Sequence, residues 1–163
     1  MLQAVRHAGA ASVVVTDVAP WRLERAAGLG ATAVVAAGAG QAHRLRDLAP
    51  GGYDVVADAT GRPEVVEQAF DWVRPRGKIW IFGVCPRGTR AAFVPYDVFR
   101  KDLSIIGSFA VCRTFHESIA LIQSGSVQVR PLISHRLPLD RFAEGLHLAE
   151  HAPDRMKVQI EIA

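Results

Sequence analysis

SVVVTDVAPWRLERAAGLGATAVVA, Ser12 to Ala36, reads as strand, helix and strand in direct succession. Ser12–Thr16 is a near-continuous β-branched run, the pattern of a strand buried on both faces. It stops at an acidic residue, Asp17. Pro20 then opens a helix at the position where a missing N–H costs nothing. Leu23, Ala26, Ala27 and Leu29 fall on one stripe of that helix, Gly30 ends it, and Ala33–Ala36 forms the next strand.

The same alternation runs outward from this stretch. Upstream, Leu2, Val5 and Arg6 fit a short helix ending at Gly9, since glycine accepts the left-handed conformation just past a helix end. Downstream, Gln41–Leu48 reads as a helix closed by PGG and Tyr53–Ala57 as a strand. Pro63–Val73 is a helix with Val65, Val66, Ala69, Phe70 and Val73 at helical spacing. RPRG follows as a turn, Lys78–Val84 as a strand, Tyr96–Lys101 as a short helix and Leu103–Phe109 as a fifth strand. Strands alternating with helices predict a parallel sheet covered on both faces.

The last third differs. Phe115–Ser124 is a helix, VRPLISHRLPL is extended and broken by proline, Asp140–His151 is a helix capped by Asp140, and Met156–Ile162 alternates as a closing strand. The sequence thus divides into an α/β part over 1–125 and a C-terminal segment over 126–163.

Composition narrows the classes. The chain has 163 residues, half of them hydrophobic and about a fifth charged, enough for one domain with a core. The net charge of +3 comes from scattered arginines with no basic stripe interleaved with aromatics, which argues against nucleic acid. Cys85 and Cys112 lie far apart with no CxxC, so neither a disulfide framework nor a structural zinc is expected. The six histidines form no ligand pattern beyond the i, i+4 pair His147 and His151 on an amphipathic helix. No run is long and apolar enough for a membrane span, and MLQAVRHAGA has no signal-peptide character. These readings give a cytoplasmic protein with reduced thiols.

Asp17 carries the functional argument. In a doubly wound dinucleotide fold, a Gly-rich turn after the first strand meets the pyrophosphate. An acidic residue about 20 positions later, at the end of the second strand, holds the adenosine ribose. A carboxylate offers two acceptors to two vicinal hydroxyls and repels a 2′-phosphate, which favours NAD over NADP. A strand-end carboxylate is also a common helix cap. Counted back from Asp17, the glycines of such a turn fall just before Met1, so the chain is expected to begin inside the first helix of the fold.

Along nearly its whole length the chain resembles the cofactor domain of medium-chain, zinc-type alcohol and polyol dehydrogenases, especially the sorbitol and threonine dehydrogenase branch. The matching stretches are LQAVRHAGAASVVVTD (2–17), RLERAAGLGA (22–31), YDVVADATGRPEVVEQAF (53–70), VRPRGKIWIFGV (73–84), RKDLSIIGSF (100–109) and RPLISHRLPLDRFAEGLHLAE (130–150). The resemblance implies a Rossmann-like, doubly wound parallel sheet lacking its first strand and Gly-rich loop. It also implies that the zinc ligands and proton-relay residues belong to an N-terminal catalytic domain outside this sequence. No catalytic residue and no metal ligand are assigned here.

By the family's pattern, Asp17 holds the adenosine ribose and Arg22 lies beside it. Ala59, Thr60 and Gly61 end the third strand on the adenosine side, with Arg62 over the adenine. Phe82, Gly83 and Val84 flank the nicotinamide and its ribose. Ser104 and Ile106 bind the carboxamide through main-chain groups, and Lys157 reaches the pyrophosphate. Each has a plainer reading: a solvated arginine or lysine, an ordinary strand-to-helix turn, a buried strand. Cys85 follows the cofactor strand with no base beside it.

The absent strand is central in the order 3-2-1-4-5-6, so the strands ending at Asp17 and Ala59 would each face a gap. Unpaired buried backbone groups cost about 1–3 kcal/mol each, against a net stability of roughly 5–15 kcal/mol. A poorly stable chain is expected, or one that closes the gap by rearrangement or a partner strand. A homodimer through Leu103–Phe109 fits the family's habit. Three readings stand: the cofactor-binding part of an NAD-dependent alcohol or polyol dehydrogenase, a non-catalytic dimerisation module or gene remnant, or another nucleotide- or SAM-binding Rossmann protein.

Overall fold

A computed structural model describes residues 1–110 and 113–162. Cys112 therefore lies outside the described residues. The chain forms two compact units, Gly38–Cys112 and a second made of Met1–Ala37 with Arg113–Ala163.

The discontinuous unit begins with α1 (Leu2–His7), β1 (Val14–Asp17), α2 (Pro20–Gly28) and β2 (Ala33–Ala36). β1 and β2 pair in parallel, Val14 opposite Ala33 through Asp17 opposite Ala36. α2 starts with Pro20 in its first turn and buries Leu23 and Ala26. Ala27, expected on the same stripe, is exposed. β1 is half-buried, not buried on both faces, because it belongs to a two-stranded sheet. Later in the chain come α6 (Phe115–Gln123), β6 (His135–Pro138), α7 (Phe142–His151) and β7 (Val158–Glu161).

The stretch expected to be extended and broken by proline holds a strand, β6, parallel to β7, between two 3-10 turns at Arg130–Leu132 and Leu139–Arg141. One expectation fails in this part. Asp140 does not cap α7. It sits inside the second 3-10 turn, and Arg141 occupies the cap position without a side-chain cap bond.

The continuous unit holds α3 (Gln41–Leu48), β3 (Tyr53–Asp58), α4 (Pro63–Trp72), β4 (Val73–Ile81), α5 (Pro95–Lys101) and β5 (Ser104–Gly107). Its sheet is parallel, in the order β3-β4-β5. The core is Ala69, Val73 and Ile79, with Val56, Phe70 and Leu103 packed against it. Val73 was expected to close the helix but opens β4 opposite Tyr53. The ladder then shifts register, resuming at Val55 opposite Lys78. RPRG is therefore a bulge in the ladder. Its Arg76 takes φ +62°, and Arg74 ties the bulge down by donating from Nε and Nη2 to Asp54 Oδ1 (2.9 and 2.6 Å). The expected cover on both faces is incomplete: all four residues of β5 are exposed, whereas β4 is the strand that α4 and α5 both touch.

Candidate functional site

In open α/β sheets, ligands bind beyond the carboxyl ends of the strands. Two such ends carry the residues singled out in the sequence.

At the end of β1, Asp17 Oδ1 accepts the Ala19 N–H at 2.9 Å. This is an Asx turn, and the cap of α2 is Ala19, which has no side-chain cap bond. Asp17 Oδ2 stands 3.6 Å from Arg22 Nη1, beyond hydrogen-bond length. The Asp17 side chain keeps a quarter of its surface exposed and Arg22 two-fifths. The arginine also lies over the Trp21 ring, 5.1 Å from its centroid, and Trp21 Nε1 donates to the Pro153 carbonyl at 3.2 Å. One carboxylate oxygen therefore serves the fold, while the other accepts no hydrogen bond among the described residues and has a cation beside it.

Arg22 and Lys157 line one cavity of about 280 Å³ in the same unit. Lys157 lies between α7 and β7, and its carbonyl accepts the backbone N–H groups of Ser134 (2.9 Å) and His135 (3.3 Å).

At the end of β3 the geometry is different. Asp58 is 1% exposed. Its Oδ1 accepts the Thr60 N–H (2.8 Å) and the Thr60 hydroxyl (2.7 Å), and its Oδ2 accepts the Gly61 N–H (3.2 Å). Its carbonyl accepts the N–H groups of Phe82 (3.0 Å) and Gly83 (2.8 Å). Ala59–Arg62 and Phe82–Val84 are thereby joined into one double loop. The two glycines allow that approach. A Cβ on Gly83 would lie 2.2 Å from the Gly61 nitrogen, and one on Gly61, at φ +70°, would lie 2.4 Å from the Val84 oxygen. The close backbone approach that Gly61 makes within the chain is thus to the next loop. Phe82, Gly83 and Val84 follow β4 rather than ending it, with Val84 91% exposed. Arg62 points to Glu64, its Nη2 2.9 Å from Oε1, and the Glu64 backbone N–H first, then this contact, holds that carboxyl below its ordinary range.

Ser104 and Ile106 lie elsewhere on this sheet. Ser104 pairs with Lys78 and Ile106 with Trp80, so Ser104 is three residues, about 10 Å, below the level of Ile81. The structure brings together Asp17 with Arg22, Arg22 with Lys157, and Ala59–Arg62 with Phe82–Val84. Sequence reasoning missed Asp58. The signal was present in D-A-T-G, an aspartate followed two residues on by a hydroxyl residue and then a glycine, which is Asx-turn chemistry.

Among the described residues, no three His, Cys, Asp or Glu side chains gather in a way that could hold a metal ion. His147 and His151 stack on each other, 4.6 Å between centroids. Cys85 is a free, half-buried thiol. No helix of the described residues is long and apolar enough to cross a membrane.

The sequence model of the zinc-binding dehydrogenase family matches residues 1–124, and the chain belongs to that family. D-altritol 5-dehydrogenase of Agrobacterium fabrum is 30% identical over 155 residues, which are 95% of this chain and 45% of that protein. L-threonine 3-dehydrogenase of Xanthomonas oryzae pv. oryzae is 34% identical over 149 residues, 89% of this chain and 43% of that one. A solved structure described as a zinc-binding dehydrogenase of Sinorhizobium meliloti 1021, bound to NADP, superposes with a TM-score of 0.87 at 28% identity. It covers 98% of this chain and 48% of its own. The chain thus spans a little under half the length of the curated relatives it matches. The resemblance named the sorbitol and threonine dehydrogenase branch, and these two relatives are a polyol dehydrogenase and a threonine dehydrogenase.

Proposed function

We propose that this chain is the cofactor-binding part of an NAD(H)-dependent, zinc-type alcohol or polyol dehydrogenase and that it orients the dinucleotide without activating the alcohol. The observation that carries the reading is the half-open Asp17 carboxylate at the end of β1, with Arg22 beside it. Asp17 Oδ2 would accept the adenosine ribose hydroxyls, and Arg22 would donate to one of them. Lys157 would face the pyrophosphate. The double loop of Ala59, Thr60, Gly61 and Arg62 would carry the adenosine side, and Phe82, Gly83 and Val84 the nicotinamide side. Ser104 and Ile106 would offer main-chain groups to the carboxamide. Bound nicotinamide supplies hydride chemistry, and this chain's residues supply binding and orientation.

The described residues do not fit a zinc ion, so no step is assigned to one. In this reading 1–125 forms the partial NAD domain and 126–163 the returning segment, in a cytoplasmic protein. A second reading, a homodimer through Leu103–Phe109, is favoured by the exposure of all four residues of β5, with Ile105 and Ile106 about two-fifths exposed.

The test is a fluorescence titration with NADH and with NADPH. Saturable NADH binding is expected, weakened about ten-fold or more in Asp17→Ala, with NADPH weaker in the unmodified chain. NADH binding indifferent to Asp17→Ala would overturn the reading.

A further inference from the structure

We infer that Arg155 is the anchoring cation of a phosphoryl-binding cavity in the discontinuous unit, a role that the sequence did not suggest. The source of the phosphoryl group rests on the dinucleotide reading above, whereas the cavity does not.

The cavity is lined by Arg22, Ala149, Arg155, Met156, Lys157 and Val158. Three of these six are cations and none is an acid. Among the described residues, neither Arg155 nor Lys157 forms an ion pair, and the acids near the cavity face other groups, one of them the lining Arg22. Asp17 faces Arg22 at 3.6 Å, and Asp154 faces His135 Nε2 at 3.6 Å. The charges of Arg155 and Lys157 are therefore not offset by the lining, and like charges around one cavity are unfavourable until an anion enters. At about 280 Å³ the space falls at the lower end of ligand pockets, the size for a phosphate or sugar phosphate and too small for a whole dinucleotide.

The arm that carries these cations is fixed. Ser134 Oγ accepts the N–H groups of Met156 (2.9 Å) and Lys157 (3.3 Å) and donates to the Lys157 carbonyl (3.1 Å). Arg155 Nη1 donates to the Ala152 carbonyl at 2.7 Å, which pins the half-buried guanidinium. A guanidinium has five N–H donors in a planar fork, so four remain after that bond. A fork of this kind grips two phosphoryl oxygens at once, which an ammonium cannot. Lys157 supplies charge, and Arg155 supplies direction.

Inorganic pyrophosphate, NADH and NADPH are the probes, titrated by calorimetry into the full chain and into Arg155→Met and Arg155→Lys. Pyrophosphate affinity is expected to fall about ten-fold or more in Arg155→Met, with partial recovery in Arg155→Lys. Equal weakening of both dinucleotides identifies the pyrophosphate bridge as the source, and weakening of NADPH alone identifies the 2′-phosphate. Either result supports the cavity. Should Arg155→Met fail to fold, Lys157→Met addresses the same cavity and the same loss of pyrophosphate binding is expected. A folded Arg155→Met or Lys157→Met chain that binds pyrophosphate as the unmodified chain does overturns the inference. Binding of both NADH and NADPH untouched in Arg155→Met, with NADH binding lost in Asp17→Ala, also overturns it and leaves the cofactor reading intact. Pyrophosphate binding lost in Arg155→Met, with no NADH binding to the unmodified chain, keeps the cavity and overturns the cofactor reading.

Discussion

Asp17 and Asp58 each end a parallel strand, and each accepts the N–H two residues on. Their surroundings separate them. Asp58 is buried and takes three donors from Thr60 and Gly61, so neither oxygen is spare for a ligand. Asp17 has one oxygen committed and the other half-open. Removing the Asp58 carboxylate would leave the buried Gly61 N–H and the part-buried Thr60 N–H without acceptors, at about 1–3 kcal/mol for a buried group. Asp58→Ala is therefore expected to lower unfolding free energy by about 2–4 kcal/mol in urea titration, and Asp17→Ala by under about 1 kcal/mol. Gly83→Ala pushes a methyl into the Gly61 backbone and is expected to lose about 1–3 kcal/mol, the range of overpacked cores. Asp17 was legible because its role depends on a local pattern, a β-branched run ending in an acid. Asp58 was less so, because what distinguishes it is burial, a tertiary property that no spacing encodes.

At the scale of elements, punctuation decided what could be read. β2 and α3 begin and end where the sequence places them, since Ala/Gly loops and PGG frame them. Val73 was misplaced because helical spacing and strand opening coincide there: one residue ends the stripe of α4 and starts β4. The RPRG bulge was read as a turn because both use the same residues. Only the ladder, with Tyr53 opposite Val73 and Val55 opposite Lys78, tells them apart. Arg74 holds the Asp54 carboxyl below its ordinary range, chiefly by hydrogen bonding and then by charge. A carboxyl depressed in the folded state adds stability above its unfolded value, about 3.9, and that stability is lost as pH falls through the lower folded value. The pair is exposed, so its effect on stability is small. The sharper readout is the titration itself. In Arg74→Gln, the Asp54 carboxyl resonance is expected to titrate at higher pH than in the unmodified chain, and an unchanged midpoint would show that the arginine does not hold it.

At the scale of the whole molecule, the balance of buried and bare apolar surface governs behaviour in solution. Phe99 (80%), Phe109 (97%) and Val84 (91%) are exposed, as are Ile105 and Ile106 on β5. β5 pairs only with β4 among the described residues, so its other edge presents free N–H and C=O groups next to bare isoleucines. Such an edge is a template for a second strand, and lysine on an edge strand opposes that pairing. An identical strand is the partner always available, and a two-fold axis makes the contact self-complementary. Light scattering after size exclusion is expected to give twice the 17.6 kDa chain mass at tens of micromolar. Ile105→Lys is expected to return the mass to one chain while Asp17, Arg22 and Lys157, which lie in the other unit, keep their hold on the adenosine and pyrophosphate half of NADH. A single-chain mass for the unmodified protein at that concentration would rule the β5 edge out as an interface. A dimer that survives Ile105→Lys would place the interface elsewhere.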